Sequence, residues 1–161
     1  YNYFRLRFIG KYCSFYVFEN FIKEKLEKLK LKAEVIPHPR IKLSFKKEKS
    51  SACIILDLSS GNVLSEDLYE RMSKRFGSNN FQLITKKDQL TQYSNVSQVG
   101  YIENLSDIFK KADFILINNR YRYRVSGLYY LAVSNKIKIL STDSCRSMVS
   151  IGKNSESIVF I

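Results

Sequence analysis

The stretch from Val99 to Ser141 limits the possible folds more than any other, because apolar runs of strand length alternate in it with segments of helical character. Phe114 to Ile117 is an unbroken apolar run. A strand with one wet face alternates apolar and polar residues, so an unbroken run implies burial on both faces, as in a parallel sheet covered by helices. On its N-terminal side, Val99, Tyr101 and Ile102 around Gly100 predict a short strand. Ser106 predicts the cap of a helix carrying Ile108, Phe109 and Ala112, with Leu105 as its staple. On its C-terminal side, Ser126-Gly127 opens a helix over Leu128 to Ser134, and Ile137 to Leu140 predicts the next strand.

The same alternation begins earlier. Ser51 to Leu58 predicts a first strand and Ser59-Ser60-Gly61-Asn62 its turn. Ser65 caps a helix with Leu68, Met72 and Phe76 at helical spacing. Gly77-Ser78-Asn79-Asn80 breaks that helix, and Phe81 to Thr85 predicts a second strand. The expected class is therefore α/β, a Rossmann-like parallel sheet with helices on both faces, over residues 40–161. Residues 1–39 form a strand-helix appendage: Cys13 to Phe18 as a strand, then a helix over Glu19 to Leu31 with Phe21, Ile22, Leu26 and Leu29 on one face. Pro37-His38-Pro39 stops regular structure, and Arg40 to Lys49 reads as a positively charged connection.

A chain of 161 residues, 45% hydrophobic, has room for one domain with a real core. Its 27 lysines and arginines against 15 acidic residues give a net charge of +12, which favours anionic partners: nucleic acid, an acidic membrane surface or phosphorylated ligands. No recognition-helix, zinc or single-strand motif accompanies the charge, so nucleic acid is not the expected partner. The cysteines, Cys13, Cys53 and Cys145, lack metal-type spacing, and their odd number opposes a disulfide framework. A reducing, cytoplasmic setting is expected, with the basic aromatic N-terminal segment able to rest on the inner face of an anionic membrane. No apolar run approaches the roughly 18–20 residues of a membrane-spanning helix.

Ligands of such sheets bind outside the carboxyl ends of the strands, which nominates Ser59 to Asn62, Asn118 to Gly127 and Thr142 to Arg146. Ser60 and Gly61 suit close approach of a phosphate, because glycine has no side chain and serine donates a hydroxyl; ordinary turns share this composition. In Asn118 to Arg124, alternation places Arg120, Arg122 and Arg124 on one side of an extended loop, and Tyr121 and Tyr123 on the other. Arginine forks suit a pyrophosphate and tyrosine rings a base or sugar face, although a solvated loop or a subunit contact uses the same residues. Ser126, Gly127 and Leu128 at a helix start offer amides to a phosphate, or form a plain cap. Asp57 and Asp143 stand at strand ends, where carboxylates commonly serve turns. His38 is the single histidine and reads as a linker residue.

These pieces, in this order, resemble the nucleotide-sugar-binding half of GT-B glycosyltransferases. The resemblance is carried by Gly100-Tyr101 followed by Leu105, by Ala112-Asp113-Phe114-Ile115, by Gly127-Leu128, and by Ile139-Leu140-Ser141-Thr142. Upstream, Phe18-Glu19 through Leu26, then Ala33-Glu34-Val35-Ile36-Pro37-His38-Pro39, is similar to the passage joining the two domains of such enzymes. The resemblance implies one half of a two-domain fold, with 1–39 as the end of the acceptor domain plus linker. It implies transfer of a sugar from a nucleotide-sugar to a glycan, lipid-linked or protein acceptor, as in bacterial surface polysaccharide or glycoprotein synthesis. The nucleotide-sugar is then a substrate, its nucleotide undetermined, and no cofactor is expected. Backbone around Gly100, Tyr101 and Ile102 would hold the base edge; Ser126, Gly127, Leu128 and the arginines would hold the diphosphate. The chain departs from the family where two glutamates usually bracket the Gly-Leu helix start. Tyr123 and Leu131 stand there, no acidic residue lies between Asp113 and Asp143, and the turn after the first strand carries no cation. Those departures favour the alternative, a non-catalytic GT-B-like module that binds a protein or membrane partner.

Overall fold

The computed structural model describes residues 3–59, 64–120, 125–152 and 156–161. These divide into two compact units, Tyr1–Pro39 and Arg40–Ile161.

The first unit comprises α1 (Tyr3–Ile9), β1 (Phe15–Val17), α2 (Asn20–Lys28) and β2 (Ala33–Val35). The helix α1 was not foreseen from the basic aromatic stretch, and the predicted Cys13–Phe18 strand is confined to the three residues of β1. β1 and β2 pair in parallel, Phe15 with Ala33 and Val17 with Val35, as a βα β unit requires. Gly10 ends α1 where a Cβ would collide with the side chain of Leu31, which is buried.

The second unit is a six-stranded sheet in the order β5-β4-β3-β6-β7-β8, and every pairing in it is parallel. Its strands are β3 (Cys53–Asp57), β4 (Phe81–Thr85), β5 (Val96–Gln98), β6 (Phe114–Ile117), β7 (Lys138–Ser141) and β8 (Ile158–Phe160). The helices are α3 (Glu66–Phe76), α4 (Leu105–Phe109), α5 (Gly127–Ser134) and α6 (Arg146–Gly152). This is the doubly wound order of dinucleotide-binding sheets. Alternate residues feed two cores. Ile54, Leu56, Ile115, Ile117 and Ile139 pack with Phe109, Ala132 and Met148 from α4, α5 and α6. Ile55, Leu83, Leu116 and Leu140 pack with Leu68, Tyr69 and Met72 from α3. The expected Rossmann-like sheet, covered by helices on both faces, is what forms.

Most expected elements form within a few residues of their expected bounds, and two differ in ways that matter. The strand placed at Val99–Ile102 lies earlier, at Val96–Gln98, because Leu83 pairs with Val96 and the ladder ends where the Val99 amide donates to Thr85 O at 2.7 Å. Helix α4 is capped by Asn104, whose side chain accepts from the Ser106 amide at 3.0 Å, and not by Ser106. Leu105 is then the first helical residue and is exposed.

The charged connection is also more than a connection. Leu43 and Phe45 turn inward and pack against the α4–α6 core, with Phe45 edge-on to the fully buried Phe109 at 6.4 Å. Asn135, just past α5, latches this strap: its side chain accepts from the Leu43 amide at 2.7 Å and donates to Ile41 O at 2.9 Å. Farther along, Glu48 pairs with Lys110 at 3.2 Å, and Lys47 with Asp113 at 3.2 Å. The strap thereby closes the core beneath the N-terminal ends of the strands. Asn135→Ala removes the latch and leaves the Leu43 amide without its acceptor, so urea denaturation is expected to show a loss of about 1–3 kcal/mol.

Candidate functional site

In a parallel sheet, all carboxyl ends share one edge, and the chain leaves β3 toward β4 but β6 toward β7. The connections leaving these two neighbouring strands thus run in opposite directions, opening a crevice between the ends of β3 and β6. The flanks of that crevice are built from two polar clusters.

The first cluster surrounds Asp57, the last residue of β3, which is 1% exposed. One carboxylate oxygen accepts from the Ser59 hydroxyl at 2.6 Å and the Ser59 amide at 3.2 Å. The other accepts from Lys87 Nζ at 2.8 Å and the Thr85 hydroxyl at 3.3 Å. Lys87 Nζ also donates to Ser59 Oγ at 3.3 Å, and its amide donates to Thr85 Oγ1 at 3.1 Å. A carboxylate moved out of water costs several kcal/mol unless a counter-charge and hydrogen bonds compensate, and here both do. The consequence is positional. Ser59 is held by three hydrogen bonds, two to Asp57 and one from Lys87, at the root of the β3–α3 turn.

The second cluster joins the ends of β6 and β7. The Ser141 hydroxyl donates to Ile117 O at 2.7 Å. Thr142 donates to Asn118 Oδ1 at 2.7 Å and shares a 2.7 Å contact with the Ser144 hydroxyl. Asn119, 6% exposed, accepts from the buried Cys145 thiol at 3.5 Å. The backbone is therefore pinned up to Asn119, and the next residue, Arg120, projects exposed from a fixed root. No ion pair engages Arg120 among the described residues.

The helix after β6 begins at the same edge. Ser126 is its N-cap, and its hydroxyl accepts from the Leu128 amide at 3.3 Å. That cap occupies the Leu128 amide, and the Tyr129 amide donates to Ser126 O at 3.0 Å, so the Gly127 amide is left without a hydrogen-bond partner among the described residues. Among the described residues, nothing lies within 4 Å of where a Gly127 Cβ would stand. Gly100 also borders open space, and Tyr101 is 91% exposed, both just beyond β5 on the same sheet edge. Leu131 sits half-buried in α5 against the core.

The topology thus brings Arg120, Ser126, Gly127 and Leu128 to the β6 side of the crevice. Gly100 and Tyr101 lie at the end of β5, two strands from β3. Ser60, Gly61, Arg122 and Arg124 lie outside the described residues. Of the two carboxylates singled out by sequence, Asp57 serves the turn through its bond from the Ser59 amide and is also the buried centre of an ion-pair network. Asp143 is exposed and faces Arg71 of α3 at 3.9 Å. His38 meets Phe18 edge-on at 4.6 Å within the first unit. Lys87 and Thr85 went unforeseen, although the Thr85-Lys86-Lys87 sequence directly follows an apolar strand; the carboxyl-end rule applied to β4 as well would have found them. Among the described residues no group of His, Cys, Asp and Glu is arranged to hold a metal ion. No helix among them is long and apolar enough to cross a membrane.

No protein-family model matches the chain, and no curated protein matches it by sequence. Among solved structures, it is similar to one described as the glycotransferase of kitacinnamycin, with 15% identity and a TM-score of 0.44. The match covers 81% of this chain and 36% of that one, so the chain spans about a third of that neighbour's length.

Lys87→Met strands the Asp57 carboxylate in a buried setting, and chemical denaturation is expected to show a loss of about 3–5 kcal/mol. Adding Asp57→Asn should restore more than half of that loss, a coupling that independent sites would not show.

Proposed function

We propose that the chain is the donor-binding part of a glycosyltransferase, which presents a nucleotide-sugar for transfer to a glycan, lipid-linked or protein acceptor. The setting that its motifs suggest is bacterial surface polysaccharide or glycoprotein synthesis. One observation carries the reading: exposed Gly127 at the start of α5 stands on the same sheet edge as exposed Arg120, which makes no ion pair among the described residues, beside the β3–β6 crevice. A helix N-terminus offers directed N–H groups and a partial positive charge, and arginine adds a planar fork, which together match a diphosphate.

In this reading the diphosphate lies between the Gly127 amide and Arg120, with Arg122 and Arg124 as further donors. Ser60 and Gly61 are further candidate phosphate contacts by sequence, and the Asp57–Lys87 network fixes Ser59 just before them. The base extends toward Gly100 and Tyr101, where backbone is free of side-chain cover and an exposed ring offers a stacking face. The sugar then points out of the crevice. Transfer itself calls for an acceptor domain facing that edge, and the general base belongs to that domain. The ribose, which a glutamate usually holds, must find another contact because Leu131 offers only an apolar surface.

Leu128's occupied amide and the missing glutamates favour, as the second reading, a module of this shape that binds a partner and no donor. Calorimetric titration with UDP, GDP, ADP and CMP separates the two. The donor-binding reading expects saturable micromolar binding of one nucleotide. It also expects Gly127→Val to weaken that binding at least tenfold with an unchanged melting temperature, since the added side chain enters open space. Absence of binding by all four overturns it in favour of the partner-binding module.

A further inference from the structure

A cavity of about 770 Å³ opens at the opposite edge of the second unit, between the strap and the N-terminal ends of β3, β6 and β7. It is therefore separate from the crevice discussed above, with the full length of the strands between them. Its size is that of a small-ligand pocket. The walls have two chemistries. Leu43, Phe45, Phe114 and Ile137 supply an apolar floor. Lys42, Lys47, Lys136 and Lys138 supply the charge, with Asp113 as the carboxylate among the lining residues.

Most of that charge is uncommitted. Lys47 pairs with Asp113 at 3.2 Å, which cancels both. Lys136 follows the C-terminus of α5, whose dipole accounts for part of its charge. Lys42, Lys136 and Lys138 are exposed and make no ion pair among the described residues. Like charges gathered around a hollow cost energy unless an anion comes between them. Lysine, a compact ammonium, binds phosphate as a point charge and does not impose the two-pronged geometry of arginine. A free phosphate ion, however, gains nothing from an apolar floor. An anion with a hydrocarbon part gains from both walls. Beside the mouth, Ile41 is 57% exposed between Arg40 and Lys42, the pattern of an apolar side chain flanked by headgroup-seeking cations.

We infer that this cavity binds the phosphate of an anionic lipid, with the lysines around the headgroup and the start of the chain against Leu43, Phe45 and Ile137. The strap side of the unit would then rest on an anionic membrane surface. The inference stands whether or not the opposite edge binds a nucleotide.

Cosedimentation of the full chain with phosphatidylcholine vesicles, with and without phosphatidylglycerol, tests it at physiological salt. Binding is expected only when phosphatidylglycerol is present. Each lysine near an anionic surface contributes about fivefold in affinity, so Lys42→Gln, Lys136→Gln and Lys138→Gln combined should weaken binding on the order of a hundredfold. A control with the same charge change elsewhere, Lys28→Gln, Lys74→Gln and Arg75→Gln, should bind nearly as the unmodified chain does. Equal loss in the two triple variants means that net charge alone attracts the protein, and overturns the site. Cys53 gives a local readout, because it lines the cavity and is half-buried. Burial first, then the Asp113 carboxylate, pushes its thiol up to about 11 against the opposing pull of Lys47, so alkylation is followed at alkaline pH. Phosphatidylglycerol vesicles should slow alkylation of Cys53 several-fold and phosphatidylcholine vesicles should not. Unchanged alkylation overturns the site, and slowing by inorganic phosphate alone overturns the lipid in favour of a soluble anion.

Discussion

The Ile54-Ile55-Leu56 segment of β3 sets the terms for everything in the second unit. All three residues are buried, and they face alternately into the two cores. Burying both faces of one strand demands helices on both sides, which forces crossover connections and therefore parallel neighbours. β4 takes one side of β3 and β6 the other. The crevice between their departing connections is a geometric by-product of that packing, not a separate invention. The site follows from hydrophobic burial, and its chemistry from the residues at the strand ends.

The two edges of the sheet differ in kind. At the carboxyl edge, helices begin, and buried Asp57, Thr85, Ser141, Thr142 and Asn119 tie the connections to fixed roots. At the amino edge, helices end and the strap crosses, bringing lysines whose charges complement the negative helix termini. A protein with net charge +12 must put its cations somewhere, and this arrangement sorts them. Arg120 stands exposed at the carboxyl edge. Lys42, Lys136 and Lys138 stand at the other, around an apolar hollow.

Local signals were the legible ones. Phe114 to Ile117 is an unbroken apolar run and became β6 with those bounds; Ser65 capped α3 as its spacing implied, accepting from the Leu68 amide. Signals carried by distant partners were not legible. Asp57 and Lys87 stand 30 positions apart, and only the pairing of β3 with β4 brings them to 2.8 Å. Leu43 and Phe45 are interleaved with charged and polar residues in a stretch dominated by lysine, so their inward turn depends on the Asn135 latch, far along the chain. α6 and β8 were not foreseen: seven and three residues long, they carry little periodic signal, and Ile158 finds its strand only by pairing with Ile139. For the crevice, the nominated strand-end loops at β3 and β6 flank the switch point, and the cation at the end of β4 escaped notice.

The chain order of the strands has a further consequence, for the growing polypeptide. β3 is the first strand of its sheet to be synthesised, yet it ends in the middle. As the nascent chain emerges, β4 and then β5 can dock on one flank, building outward in a single direction. The other flank of β3 stays vacant until Phe114 to Ile117 appears, and only then does the sheet grow the opposite way toward β8. During that interval the half-formed sheet offers an unfilled parallel edge lined by Ile55 and Leu56, the place where a strand from a neighbouring molecule would intrude. Vectorial synthesis thus makes the arrival of β6 the step that commits the chain to folding on itself.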